Sequence, residues 1–161
     1  NLLFAIDILK RLKVPAAMDV FGAVGDEAYF AACNTSIARG LGNAEIRFKG
    51  GIAKEALFAQ LPEYDVLLHP TLGENFGHSI VEALYLGLPV LISDRSPWTD
   101  VGSHGAGWSL PLSDPQPFAD RLEEIYAMGK EWSALSDGAL RYAHATFDST
   151  QTVTRYRQAY G

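Results

Sequence analysis

One cysteine in 161 residues leaves no partner for an internal disulfide. Cys33 therefore fits a reducing compartment, and the cytoplasm is the natural expectation. Its surroundings, "YFAACNTSIARGL", read as a helix in which a thiol packs and does not react. Basic residues are also scarce: 13 Lys and Arg against 19 Asp and Glu give a formal charge of -6. A nucleic-acid binder needs the reverse balance to displace counterions, so no nucleic-acid partner is expected. No apolar run reaches the roughly 20 residues of a membrane span, and no signal peptide is visible. Membrane contact is then limited to peripheral association of a longer protein. A zinc-type cluster of His, Cys and Asp is missing, and His104 and His144 lack metal-ligand spacing, so no metal is expected. Internal repeats and low-complexity linkers are missing too. The chain opens at Asn1, without methionine, directly on the helical pattern "LLFAIDILKRL", which looks like a piece of something longer.

What is present alternates. Apolar residues at 2, 3, 6, 9 and 12 have helical spacing over 2–13. "AAMDVFGAV" (16–24) reads as a strand, 26–41 as a helix and "AEIRFKGG" (44–51) as a strand ending on a glycine pair. A short helix in "AKEALFAQLPE" breaks near Pro62, and "YDVLLHP" (64–70) is a strand. A helix over 77–87, strands at 87–94 and 107–112, and helices at 115–129, 131–146 and 149–160 complete the pattern. Strands alternating with helices imply crossover connections and a parallel sheet. The expected fold is a three-layer α/β domain of Rossmann type with helices on both faces. Ligands in such sheets sit beyond the carboxyl ends of the strands. That singles out the loops at 22–26, 50–52, 71–77 and 94–98.

The stretch "GENFGHSIVEALYLGLPV" (73–90) holds a puzzle. Glu82 lies among Ile80, Val81, Ala83, Leu84 and Leu86, where a buried carboxylate needs a partner. His78, Ser79 and Glu82 are spaced i, i+1 and i+4, so they form one polar strip near the helix start. A helix start presents free backbone N–H groups and positive dipole to an anion, and Gly73 and Gly77 allow close approach. Glu82, one turn inside, is placed to accept hydrogen bonds from both hydroxyls of a ribose. Glu74 at the loop tip would meet the next part of the same ligand. The plainer alternative makes Glu74 or Asn75 a helix cap and pairs Glu82 with a surface lysine.

These residues resemble a known family. "GENFGHSIVEALYLGLPVLISD" is similar to the signature of the group 1 (family-4) retaining glycosyltransferases of GT-B fold. Their C-terminal domain carries two glutamates with seven residues between, here Glu74 and Glu82, followed by a Gly-x-Pro-Val strand, here ending at Pro89 and Val90. "NLLFAIDIL", "DVFGAVGD", "IRFKGGI", "YDVLLHPT" and the tail after "GWSLPLSD" extend the likeness over nearly the whole chain.

The resemblance implies a donor-binding domain, moving a hexosyl-type sugar from a nucleoside diphosphate carrier to a glycan, lipid or small-molecule acceptor with retention, in glycan biosynthesis. Glu82 would hold the ribose and Glu74 the donor sugar near the reacting carbon, as the catalytic residue. Backbone amides of Asn75, Phe76 and Gly77 would line the sugar, those of His78 and Ser79 the distal phosphate, and Ile52 the base. No cofactor or obligatory metal is implied. The family's acceptor domain, its first strand and its basic diphosphate ligands would all precede Asn1, so residues 1–161 form a single domain without transfer activity of its own. A crossover helix is expected over 147–161. "RSPWTDV" departs from the family's Gly-Gly-x-x-Glu loop and puts Asp100 where its glutamate stands. Two alternatives stay open: a sugar-nucleotide epimerase of similar fold, and a non-catalytic α/β interaction module.

Overall fold

The structure, a computed structural model, describes residues 1–148. Helix α1 (Leu2–Leu9) buries Ala5, Ile6, Ile8 and Leu9. It stops four residues short of the expected end. Arg11 and Leu12 donate to Ile8 and Leu9, three residues back, so the last turn tightens before Pro15, whose predecessor is kept out of helical backbone. Strand β1 (Ala16–Phe21) is followed by α2 (Glu27–Ala38), capped by Asp26, whose carboxylate accepts from the Tyr29 N–H. Strand β2 (Ala44–Gly50) leads to α3 (Lys54–Gln60), which runs into a 3₁₀ turn containing Pro62. Strand β3 (Leu67–His69) precedes α4 (His78–Tyr85), and β4 (Val90–Ser93) precedes β5 (Gly107–Leu110). The chain continues through α5 (Gln116–Met128) and α6 (Trp132–Phe147). The helix expected at 149–160, and with it the crossover expected over 147–161, lies outside the described residues from 149 onward.

Among the described residues all strand pairings are parallel, as the alternation predicts, but they form two sheets, β2–β1 and β3–β4–β5. Between β1 and β3 lies a cavity of about 790 Å³, lined on one side by Ala16–Phe21 and on the other by residues 66–69. Periodicity within a strand says nothing about which edges meet, so this division was invisible in the pattern. β3 is also shorter than expected, because Tyr64 caps the preceding 3₁₀ turn and the chain bends at Asp65 before pairing begins at Leu67. Tyr64 ties the two sheets together. Its hydroxyl donates to Asp19 Oδ2 on β1 at 2.7 Å, and its ring meets Phe21 edge to face.

β4 is fully buried and divides the core. Val90 and Ile92 pack with Ile80, Leu84, Tyr142 and Phe147 of α4 and α6. Leu91, pointing the other way, packs with Ile6, Leu9 and Phe118 of α1 and α5. Helices therefore cover both faces of this sheet. Cys33 is fully buried in the same cluster as α1, a packing residue as expected. Gly107 lets β5 approach β4: at φ 140°, a Cβ there would fall 1.9 Å from the Val90 carbonyl oxygen. Among the described residues no helix is long and apolar enough to cross a membrane.

Candidate functional site

The loop between β3 and α4 begins at Pro70, which ends the strand, and is fastened to the segment after β4. The buried Ser93 hydroxyl donates to the Thr71 carbonyl at 2.6 Å, and the Glu74 N–H donates to the Arg95 carbonyl at 3.0 Å. Thr71 Oγ1 accepts from the Gly73 N–H at 3.2 Å. The Trp98 indole N–H donates to the Phe76 carbonyl, and the two rings meet edge to face. Trp98 thus packs and also fixes the loop. Gly77 then turns the chain into α4 with left-handed backbone (φ 80°, ψ 63°), and no side chain caps the helix. A Cβ at Gly77 would sit 2.9 Å from Ile80 Cδ1 and 3.1 Å from Glu74 Cγ, so the loop closes this tightly only around glycine.

On α4 the expected strip is present. Ile80, Val81, Ala83 and Leu84 are buried, His78 and Ser79 are exposed, and Glu82 is partly exposed. Ser79 and Glu82 line the cavity at the carboxyl end of β1 and β3, along with His69 and Thr71. Glu74, Asn75, Phe76, Gly77 and His78 lie on the adjoining loop and helix start and do not line it. Glu74 is brought near through His69, whose Nε2 stands 3.9 Å from Glu74 Oε2. Burial pushes the His69 imidazole below its ordinary value, the Glu74 carboxylate only partly offsetting it, so the ring is neutral at pH 7. Glu74 Oε1 accepts the Phe76 N–H at 3.3 Å, which occupies one of the amides expected to face a sugar.

Glu82 has a lysine partner, as the plainer alternative anticipated. Lys54 Nζ stands 2.6 Å from Glu82 Oε1. The lysine opens α3, two residues after Ile52, so the pair brings the Ile52 loop to the same rim although Ile52 does not itself line the cavity. Sequence reasoning passed over Lys54. Its one signal was a cation in the first turn of a helix, where the dipole disfavours it. Asp100 serves the fold: its Oδ1 accepts the Tyr142 hydroxyl at 2.6 Å and anchors α6.

The assembled groups offer a positive helix start, one carboxylate able to accept two hydroxyls and a second carboxylate beside it. Among the described residues no group of three or more His, Cys, Asp or Glu is placed to hold a metal ion.

The family model for glycosyl transferases group 1 matches residues 1–140. The chain belongs to that family. Among solved structures this group 1 domain is similar to the Anabaena protein Alr3699/HepE, solved in complex with UDP and glucose and with UDP-glucose. The TM-score is 0.79 at 23% identity, covering 97% of this chain and 43% of HepE. Sucrose-phosphate synthase (tll1590) from Thermosynechococcus elongatus gives 0.78 at 20% identity, covering 98% of this chain and 41% of that one. The C-terminal domain of LpcC, a glycosyl transferase group 1 family protein from Francisella tularensis, gives 0.67 at 13% identity, covering 88% and 91%. The group 1 domain thus spans less than half of the first two proteins and nearly all of the third. No curated protein matched the sequence.

Proposed function

We propose that this group 1 domain binds the nucleoside diphosphate sugar that donates in sugar transfer. The observation that carries the reading is the start of α4: an uncapped helix entered through left-handed Gly77, with Ser79 and Glu82 at the mouth of the cavity. Glu82 takes the ribose hydroxyls, the amides of His78 and Ser79 take the distal phosphate, and Glu74, with Asn75, Gly77 and Phe76, whose own amide Glu74 holds, faces the sugar. Ile52 meets the base. As the anomeric C–O bond breaks, its electron pair passes to the diphosphate, and the acceptor oxygen bonds to the same carbon and gives up its proton to the departing diphosphate. Positive dipole and N–H groups aimed at the leaving diphosphate stabilise the charge it gains. The reading places the domain in the family-4 retaining, hexosyl-transferring class, at work on glycans in a reducing cytoplasm and with no obligatory metal.

A second domain holds the acceptor in this reading. The gap between β1 and β3 supports a further parallel strand there, giving the order of a doubly wound sheet. Both edges face the cavity, and Asn1 stands at its carboxyl end, donating to the Pro70 carbonyl at 2.9 Å.

HepE's complexes make UDP the first ligand to try, with GDP and ADP beside it. At a hundredfold over its dissociation constant a ligand adds about 2.7 kcal/mol of stability. Thermal melts with each nucleotide at millimolar concentration should show an upward shift with at least one, and a smaller shift with the free base. No shift with any of them would sink the assignment.

A further inference from the structure

The ion pair joins Glu82, which lines the cavity, to Lys54, which stands just outside it. α3 follows β2 and α4 follows β3, so the two residues stand on the rims of the two separate sheets and meet at 2.6 Å. The ammonium is held from a second side by the Phe58 ring one helical turn on, with 5.1 Å to the centroid. Neither helix needs this arrangement for stability. A cation in the first turn of α3 opposes the helix dipole, and the Lys54 side chain is 63% exposed, where an ion pair is heavily screened. The contact does restrain Glu82. A free glutamate side chain samples several rotamers, whereas this one has Oε1 tied to a cation that is itself seated on an aromatic face.

We propose that Lys54 is a positioning residue of the nucleotide site: by holding Oε1 of Glu82 it presents the rest of the carboxylate to the two hydroxyls of the ligand's ribose. The inference rests on the donor-site reading above. A carboxylate has about four lone-pair sites, so one ammonium leaves enough for two hydroxyl donors. Ordering a flexible side chain before binding is worth about 3- to 10-fold in affinity, the cost otherwise met on association. Lys54 thus acts on the sugar of the nucleoside, through Glu82, and not on the phosphates.

The two sites of action are separable by ligand chemistry. Isothermal titration of the 161-residue chain would compare UDP with 2′-deoxy-UDP, and the GDP and ADP pairs likewise, for wild type, Lys54→Met and Lys54→Arg. The wild type should prefer the ribo form. Lys54→Met should weaken the ribo ligand about 3- to 10-fold, weaken the deoxy ligand less and so shrink the preference. Lys54→Arg, which keeps charge and ring contact, should restore it. Equal losses for both forms would mean that Lys54 touches phosphate or base, and no loss in either would mean a surface pair only; both results overturn the proposal. If the wild type binds none of these nucleotides, the donor-site reading itself fails and takes this inference with it, a result read from the wild type alone. Unchanged melting curves would show that the exposed substitutions leave the fold intact.

Discussion

Asp19 sits in the middle of β1 with its side chain only 5% exposed, and three neighbours answer its charge. Arg47 pairs with it from the matching position on β2, Lys49 Nζ stands 3.4 Å away, and Tyr64 donates from the far side of the cavity. Burial alone would raise this carboxyl; the hydrogen bonds from Tyr64, Arg47 and Lys49 outweigh it and hold Asp19 below its ordinary 3.8. Tyr64 is pushed up to about 12, by burial first and then by Asp19. A carboxyl depressed in the folded state stabilises above its unfolded value and loses that stability as pH falls through the folded one. Melting temperature should therefore fall as pH drops below about 4, and Asp19→Asn should flatten that fall. At pH 7 the same change should cost about 1 kcal/mol, since Arg47 and Lys49 are partly exposed and screened. An unaltered acid profile in the variant would show that the cluster is not coupled to folding. The two glutamates of the site divide differently. Glu82→Ala should weaken bare nucleotide by about 1.5–3 kcal/mol for each charge-assisted bond lost. Glu74→Ala should leave nucleotide binding unchanged and weaken only the sugar nucleotide. Titration of both variants with both ligands checks this, and equal losses throughout would make the glutamates structural.

At the scale of elements, the loop from 71 to 77 is held by hydrogen bonds at Thr71, Gly73, Glu74 and Phe76 and by one left-handed glycine. Gly77→Ala must adopt left-handed backbone and push against Ile80 and Glu74, so it should cost about 1–2 kcal/mol. Because the displaced atom nearest the site is Glu74 Cγ, sugar-nucleotide affinity should fall more than nucleotide affinity. Calorimetry on the variant, with melting curves beside it, tests both halves. The strip on α4 was legible because helical spacing alone separates Ile80, Val81, Ala83 and Leu84 from His78, Ser79 and Glu82. Its proposed role follows from the helix start and from the family signature, while the same spacing also allowed the plain pairing of Glu82 with a lysine. The end of α1 was misread, since Leu12 keeps the apolar period and stays buried although the backbone has already tightened. Lys54 escaped because its partner is 28 positions away on another helix, and no local pattern encodes that meeting.

In the whole molecule the two sheets differ in depth. β4 is buried at all four positions, while most of β2 is exposed beyond Ile46. Amide exchange should therefore be slowest in β4 and faster in β1 and β2, whose pairing opens without disturbing the core around Leu84 and Ile92. Uniform protection across both sheets would mean that they unfold as one unit. Transfer requires donor and acceptor to be held together in one geometry, which accounts for a large part of any barrier reduction. Here the candidate groups divide between two rims, Lys54 after β2 and Ser79, Glu82 and the Glu74 loop after β3, joined by the Lys54–Glu82 pair. In the proposed reading they address the donor. HepE and sucrose-phosphate synthase, of the same fold over this region, are more than twice as long. Removing one group that stabilises the transition state costs about a hundredfold or more in rate, and in the proposed reading the groups that hold the acceptor lie on a second domain. Residues 1–161 are therefore expected to bind nucleotide without transferring sugar, with turnover restored when the domain is joined to an acceptor-binding half. A radiolabelled donor assay with matched acceptors, run on both forms, decides the point. Transfer by residues 1–161 alone would place acceptor-binding groups on this chain and relocate the chemistry to its own surface.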